Sequence, residues 1–360
     1  MEDFHGGMLK LAREVLGWSQ TELAERTGVA QGSISKYEKG LQQPSDSQVA
    51  VIAHVLGFAP GFFADGEARP AAVMYRSRSL RSAKLEAHVR ARLNLARIVI
   101  QRLTADVEVD TVARFPGPDA IFSSPEEAAQ QLRSAWWIAP GPIEEICSYV
   151  EAAGGIVARV DLGTDDVVAA YMHPLSDPQR WFFINTRVSA GDRVRFSLAH
   201  EIGHAVMHEG GLAPDTRQAE SESNLFAGAL LLPERDLRSE LPRGRIRMEH
   251  LLELKRRWGT SMQMIAMRAM QIGAISSHEL SRLYREFGAR GYRVNEPVHI
   301  APEQPSVINA ALRIHREQHG YSELELADLA RVSSTTLSGL LPEHFAPESG
   351  ARLRVVSVRQ

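Results

Sequence analysis

Residues 193–210 read RVRFSLAHEIGHAVMHEG, an apolar helical pattern in which His200 and His204 stand four apart and Glu201 follows the first histidine. Four residues make about one helical turn, so both imidazoles project from one face and can hold a single metal ion. The carboxylate at Glu201 is turned toward where a water on that metal would sit and can act as its general base. Catalytic zinc usually takes three protein ligands and leaves the fourth position open. The third is sought in QAESESNLFAGALLLPE (218–234), the next helical stretch. There Glu222 shares a face with Leu225, Phe226, Ala229 and Leu230, whereas Glu220 shares one with Ser223, Asn224, Ala227 and Gly228. A carboxylate on an apolar face needs a charge partner, because burying it alone is costly. Glu222 is therefore the expected third ligand and Glu220 the reserve. His208 follows His204 by four, but a fourth protein ligand would close the site, so it is expected either to support a ligand or simply to pack.

Upstream the pattern is α+β. SPEEAAQQLRSAW and PIEEICSYVEAAG read as helices, and Gly155–Asp161, Val167–Met172 and Trp181–Asn185 as strands. The last of these is expected to be the edge with which an extended substrate pairs. ADGEARPAA (64–72) and RFPGPDAIFSSPEE (114–127) read as linkers.

Near the start, SQTELAERTGVAQGSISKYEKG (19–40) sits among short amphipathic helices. Ser19 can cap a helix with Glu22 three residues on, and Gly28 supplies a tight turn. This is a helix-turn-helix pattern, and over about 55 residues it resembles the phage-repressor-like (XRE) DNA-binding family. The resemblance implies a recognition helix from about Ala30 to Glu38, with Gln31, Gly32, Ser33 and Lys36 facing the major groove of double-stranded DNA and Gln20 contacting phosphate. Residues 1–60 carry five basic and seven acidic side chains, a poor footprint for DNA. Arg76 to Arg102 holds eight Lys or Arg against one acid, Glu86, and would lend phosphate contacts if it lay beside the bundle.

Shifting the chain by 303 residues lays Arg316–Gly339 on Arg13–Lys36 with nine of 24 positions identical. A second helix-turn-helix-like bundle is therefore expected. Glu323 stands where Gln20 would contact phosphate, and Arg331 replaces the turn residue Gly28. Such a bundle is expected to dock on the helix-turn-helix of a partner or of another copy rather than to read DNA.

The segments FINTRVSAGDRVRFSLAHEIGHAVMH (183–208), ESESNLFAGALLLP (220–233) and SMQMIAMRAMQIGAISSHELSRLYREFGARGY (261–292) resemble the ImmA/IrrE family of zinc-dependent metallopeptidases, over about Pro125 to Tyr292. Where that family favours EAN, this chain has Glu222, Ser223 and Asn224. The resemblance implies a cytoplasmic endopeptidase that cleaves an XRE-type repressor after stress or DNA damage. Its zinc would polarise the scissile carbonyl, with Glu201 moving the proton. Tyr171, His173 and Arg195 are candidates for contacting the transition state or substrate. Two other readings stay open. One is a non-proteolytic transcription regulator or antitoxin-like protein whose metallopeptidase domain senses or docks. The other is a structural zinc site.

Length and composition agree with this layout. At 360 residues the chain exceeds one usual core, and 44% apolar residues suffice to build several. No run of about 18 apolar residues suggests a membrane span, and MEDFHGGMLKLARE does not read as a secretory signal, so a cytoplasmic protein is expected. The single cysteine, Cys147, leaves any metal to His and carboxylates, with zinc expected and manganese also accepted by such donors. The net charge of −3 makes no general case for nucleic acid. The expected architecture is multidomain and mainly α, with one α+β domain. It comprises an N-terminal helix-turn-helix bundle (1–66), a basic helical linker (67–122), a zincin-like HExxH metallopeptidase domain (123–240) with a helical extension (241–302), a C-terminal helix-turn-helix-like bundle (303–345) and a tail (346–360). A homodimer is expected, and no membrane partner.

Overall fold

The computed structural model describes residues 4–64, 74–77, 82–105, 107, 111–117, 120–174, 179–209 and 216–345. The tail and parts of the expected linker lie outside these residues. Four helices, α1 (Gly6–Val15), α2 (Gln20–Thr27), α3 (Gln31–Glu38) and α4 (Asp46–Leu56), build the N-terminal bundle, followed by a 3-10 turn at Pro60–Ala64. Reciprocal capping boxes start α2 at Ser19/Glu22 and α4 at Ser45/Gln48. Gly28 ends α2 at φ +69, a conformation that only glycine adopts cheaply.

The described part of the expected basic helical linker region holds a long, buried helix. After strand β1 (Met74–Ser77), helix α5 (Ala83–Leu103) runs through the molecule with Val89, Leu93, Ala96, Val99, Ile100 and Leu103 buried. Arg92 donates to the carbonyls of Asp161 and Gly339 and Arg102 to that of Ala330, so these guanidiniums bind backbone rather than phosphate. Lys84 and Arg90, at the exposed N-terminal end, face Glu22 and Glu86.

Helices α6 (Pro125–Ala135) and α7 (Ile146–Ala152) lead into β2 (Gly155–Val160), β3 (Val167–Met172) and β4 (Arg180–Asn185). The sheet order is β1-β3-β4-β2. β4 is parallel to β2 and antiparallel to β3, with Trp181 facing both Ile156 and Met172. The expectation that β4 is a substrate-pairing edge is thereby corrected: both of its ladders are taken. The outer strands are β1, antiparallel on β3, and β2. All six residues of β2 are buried, because both sheet faces are covered.

One face shares a core with α5 and the two helical bundles; on the other, α7 and α8 (Gly191–Met207) lie against the strands and share a second core with α6, α9 (Thr216–Leu231), α10 (Glu234–Glu240), α11 (Met248–Trp258), α12 (Met262–Gln271) and α13 (Ser277–Ala289). None of the described helices is long and apolar enough to cross a membrane.

The repeat is realised as α14 (Val307–Glu317), α15 (Glu323–Leu329) and α16 (Ser334–Leu340). Ser322 and Glu325 form the same capping box as Ser19 and Glu22. Arg331 holds the turn at φ +57 where its counterpart Gly28 has φ +69. The expectation that this bundle docks on another molecule is corrected in one respect: it docks on the N-terminal bundle of its own chain. Ser333 N and Thr336 Oγ1 donate to Gly57 O at 2.9 and 3.2 Å, Ala59 N donates to Arg331 O at 3.1 Å, and Phe58 bridges Val332. On its other side Asp161 N donates to Leu340 O, and Arg159 N to His344 Nε2.

Candidate metal centre

α8 lies buried against the sheet and α9, with His200 and Glu201 at 0%, His204 at 5% and His208 at 4% exposure. The helical spacing brings His200 Nε2 and His204 Nε2 to 3.1 Å. Glu220, one turn into α9, places Oε2 at 3.4 Å from His200 Nε2 and Oε1 at 3.3 Å from His204 Nε2. Two donors on a tetrahedral zinc with bonds of about 2.0–2.1 Å stand about 3.3 Å apart, so the two rings, and each ring with the Glu220 oxygen nearest it, are spaced for a shared ion, the carboxylate offering a different oxygen to each ring. The chemistry fits too, since two imidazole nitrogens and a carboxylate are a usual set for a catalytic zinc, and manganese also accepts them. Among the described residues this trio is the one group of His, Cys, Asp or Glu that could hold a metal. Hydrogen bonding to both histidines holds the Glu220 carboxyl well below the usual carboxylate range, so it is ionised at neutral pH.

The third ligand expected from the sequence was Glu222, and the structure turns it elsewhere: Glu222 Oε2 meets His208 Nε2 at 3.0 Å, and Gln218 Nε2 donates to Glu222 Oε1 at 2.8 Å. The reason lies in how α8 and α9 pack. A Cβ added at Gly203 would come within 3.2 Å of Ser223 Cα and 3.0 Å of Phe226 Cδ1, so the helices cross at Gly203 and Ser223. The inward face of α9 is therefore centred on small, fully buried Ser223 with Phe226, Ala227 and Leu230, while Leu225 is half-exposed. Glu220 lies three residues before Ser223 and shares its face; Glu222, about 100° around, does not. Counting large apolar residues mislocated the contact because close helix approach selects small ones.

His208 Nδ1 lies 3.2 Å from His204 Nδ1, with Ser223 Oγ at 3.5 Å. Burial pushes the His208 imidazole below its ordinary range, against the pull of Glu222. A shallow hollow, open to the surface, lies beside Glu220 and is lined by Arg217, Ser221 and Asn224. Asn224 Nδ2 donates to Glu220 O at 2.8 Å, bracing the turn that carries the carboxylate.

The other candidates are placed as follows. Buried Tyr171 donates to Glu209, which also meets His173 Nδ1 at 2.5 Å and accepts from Arg180. Burial, and then the Glu209 carboxylate, push the Tyr171 phenol far up, so it stays a neutral donor. Arg195 is 5% exposed and donates to Glu144 O at 2.8 Å, to Ile143 O and to Glu303 at 2.6 Å. It ties α8 to the segment before α7, which corrects its candidacy as a substrate contact.

In the N-terminal bundle, Gln31, Gly32 and Lys36 are exposed on α3 and Ser33 is half-buried. Gln20, expected at phosphate, bridges two neighbours: its Oε1 accepts from Gln31 Nε2, and its Nε2 donates to Glu38, both at 2.8 Å. Arg13 Nε in turn donates to Glu38 at 2.6 Å, so the Gln20–Gln31 pair is anchored from inside the bundle.

Residues 153–270 match the family model described as the IrrE N-terminal-like domain, and residues 9–63 the one described as helix-turn-helix. Two proteins named as uncharacterized HTH-type transcriptional regulators, from Sinorhizobium medicae (strain WSM419) and Rhizobium meliloti (strain 1021), are each 37% identical over 62 residues, 17% of this chain and 45% of theirs. The chain thus spans about half the length of these curated relatives. It joins an XRE-type helix-turn-helix domain to an IrrE N-terminal-like domain of the ImmA/IrrE metallopeptidase family.

Proposed function

We propose that the protein is a DNA-binding regulator whose buried His200–His204–Glu220 centre is that of a zinc endopeptidase acting on an XRE-type repressor in a stress or DNA-damage response. The observation that supports this reading best is the close approach of His200 Nε2, His204 Nε2 and the Glu220 carboxylate, with Glu201 on the same helix. A zinc ion held there would supply Lewis acidity toward the scissile carbonyl and an incoming water. Glu201 takes the proton of that water and returns it to the leaving amine, the task that its position between the two histidines allows. Glu220 and the two imidazoles would hold the centre, and Asn224 braces the turn of α9 that carries Glu220. At the other end of the chain, the exposed face of α3 presents Gln31 and Lys36 to the major groove, and two copies would read paired half-sites.

The test is to incubate zinc-loaded wild-type protein and Glu201→Gln with the XRE-type repressor encoded nearest to it and read intact masses. Cleavage by wild type alone, with metal content and operator binding equal in both, is the expected result. If neither protein cuts the repressor although both hold one metal ion, the endopeptidase reading falls and the domain is a sensing or docking module. Equal cleavage by both would remove Glu201 from its role.

A further inference from the structure

The metal-centre reading leaves two groups unused, buried His208 and its half-buried partner Glu222, and they form a continuous chain with one of the ligands. Glu222 Oε2 stands 3.0 Å from His208 Nε2, and His208 Nδ1 stands 3.2 Å from His204 Nδ1. Each contact joins ring nitrogens or a carboxylate oxygen, so one assignment of protons decides them all. To ligate through Nε2, the atom that faces His200 and Glu220, His204 must carry its proton on Nδ1. That proton points at His208 Nδ1, which must then accept, so the His208 proton sits on Nε2 and points at the Glu222 carboxylate. A carboxylate takes such a proton and has none of its own to offer.

We propose that Glu222 and His208 are positioning residues that act through one another to fix the metal-competent tautomer and ring orientation of His204. This rests on His200, His204 and Glu220 being the metal ligands. Without Glu222, His208 is free to carry its proton on Nδ1, where it opposes the proton of His204 and drives that ring toward the tautomer with Nε2 protonated, which cannot ligate. Outer partners of ligating histidines commonly support metal affinity by 10–100-fold. Here the outer partner is itself a histidine, and the carboxylate acts at one remove. Gln218, which donates to the far oxygen of Glu222 at 2.8 Å, holds that carboxylate in place.

The experiment measures Zn²⁺ affinity of full-length protein by competition with a chromophoric chelator and records the visible spectrum of the Co²⁺-loaded form. The variants are Glu222→Ala, Glu222→Gln, His208→Phe, the double variant His208→Phe/Glu222→Ala, and Glu220→Ala. Circular dichroism and urea midpoints of the metal-free proteins check that each folds. Glu222→Ala and His208→Phe should each weaken Zn²⁺ about 10–100-fold while keeping one site and a four-coordinate Co²⁺ spectrum. The double variant should be no weaker than His208→Phe, because the two residues lie on one line of action. Glu222→Gln should recover most of the loss, since the amide oxygen still accepts from His208 Nε2. Unchanged affinity in Glu222→Ala overturns the proposal, as does recovery no better in Glu222→Gln than in Glu222→Ala. A changed Co²⁺ coordination number in Glu222→Ala also overturns it, by making Glu222 a ligand. If Glu220→Ala binds Zn²⁺ like wild type, the failure belongs to the ligand assignment itself and is recognisable as such.

Discussion

His344 gives the sharpest test of how the C-terminal bundle is attached. Its ring is 4% exposed, Nε2 accepts from the β2 residue Arg159 N at 3.4 Å, and Nδ1 stands 3.1 Å from Asn309 Oδ1 on α14. Both contacts need a neutral imidazole with its proton on Nδ1. Burial is the main cause that lowers its pKa from 6.5 to about 4, with Glu343 pulling it up and Arg159 pushing it down. An unfolded chain binds this proton near pH 6.5 and the folded chain only near pH 4, so stability falls as the pH drops through that window and the loss is complete below it. The full loss is about 3 kcal/mol, of which about 2 kcal/mol is reached by pH 5. Urea denaturation of wild type and His344→Gln at pH 7.5 and pH 5 isolates the term, because every other titrating group is shared. The glutamine can still accept from Arg159 N yet never protonates, so the variant should lose about 2 kcal/mol less between the two pH values. Parallel losses in the two proteins would refute the claim that docking requires a neutral His344.

Three further outcomes follow from backbone geometry. Gly203→Ala should destabilise by about 1 kcal/mol, since overpacking Ser223 and Phe226 costs about 1–3 kcal/mol against a helix-propensity gain of about 1; it should also weaken Zn²⁺, because α9 carries Glu220, and a more stable variant with wild-type affinity would contradict this. Gly228→Ala is the contrast: its Cβ meets only Gln271 Oε1 at 3.5 Å and Arg268 Cδ at 3.6 Å, so thermal unfolding should show a gain of about 0.5–1 kcal/mol. Arg331→Ala keeps the positive φ and loses the bond from Arg331 Nη1 to Gly61 O, whereas Arg331→Gly loses the bond but relieves the strain. The glycine variant should therefore be about 1 kcal/mol the more stable of the two in urea titrations.

What the sequence disclosed depended on whether a periodicity or a packing distance decided the matter. The His200–His204 spacing, the capping serine Ser19 and, to within a residue, the ranges of β2, β3 and β4 are local, and the structure reproduces them. The choice between Glu220 and Glu222 is not local. It turns on Gly203 and Ser223 letting two helices approach, a property of side-chain smallness that a count of apolar residues passes over. Arg92 and Arg102 read as a solvated helix face or as conditional phosphate contacts because charge is visible in a sequence and the carbonyls that satisfy it are not. β4 read as an edge because nothing in WFFIN says which neighbours a strand acquires.

The docked repeat changes what a truncation can mean. Ile308, Leu312, Leu326, Leu337, Leu340 and Leu341 are each at most 1% exposed and share one core with Phe58 and Phe62, with α5 and with Ile156, Ala158 and Val160 of β2. At about 1.5–3 kcal/mol for each fully buried side chain, their removal forfeits on the order of 10 kcal/mol, comparable with the whole stability of an ordinary domain. Deleting residues 303–360 would therefore strip the N-terminal bundle and the sheet of a common wall rather than release a separate module. The hydrogen bonds at the joint lead to the same conclusion. Ser333 N to Gly57 O and Ala59 N to Arg331 O join backbone to backbone, so no single side-chain substitution removes the joint. Point changes such as His344→Gln, which weaken one contact and leave the core intact, are the variants that can report whether the DNA-binding bundle and the metal centre influence each other.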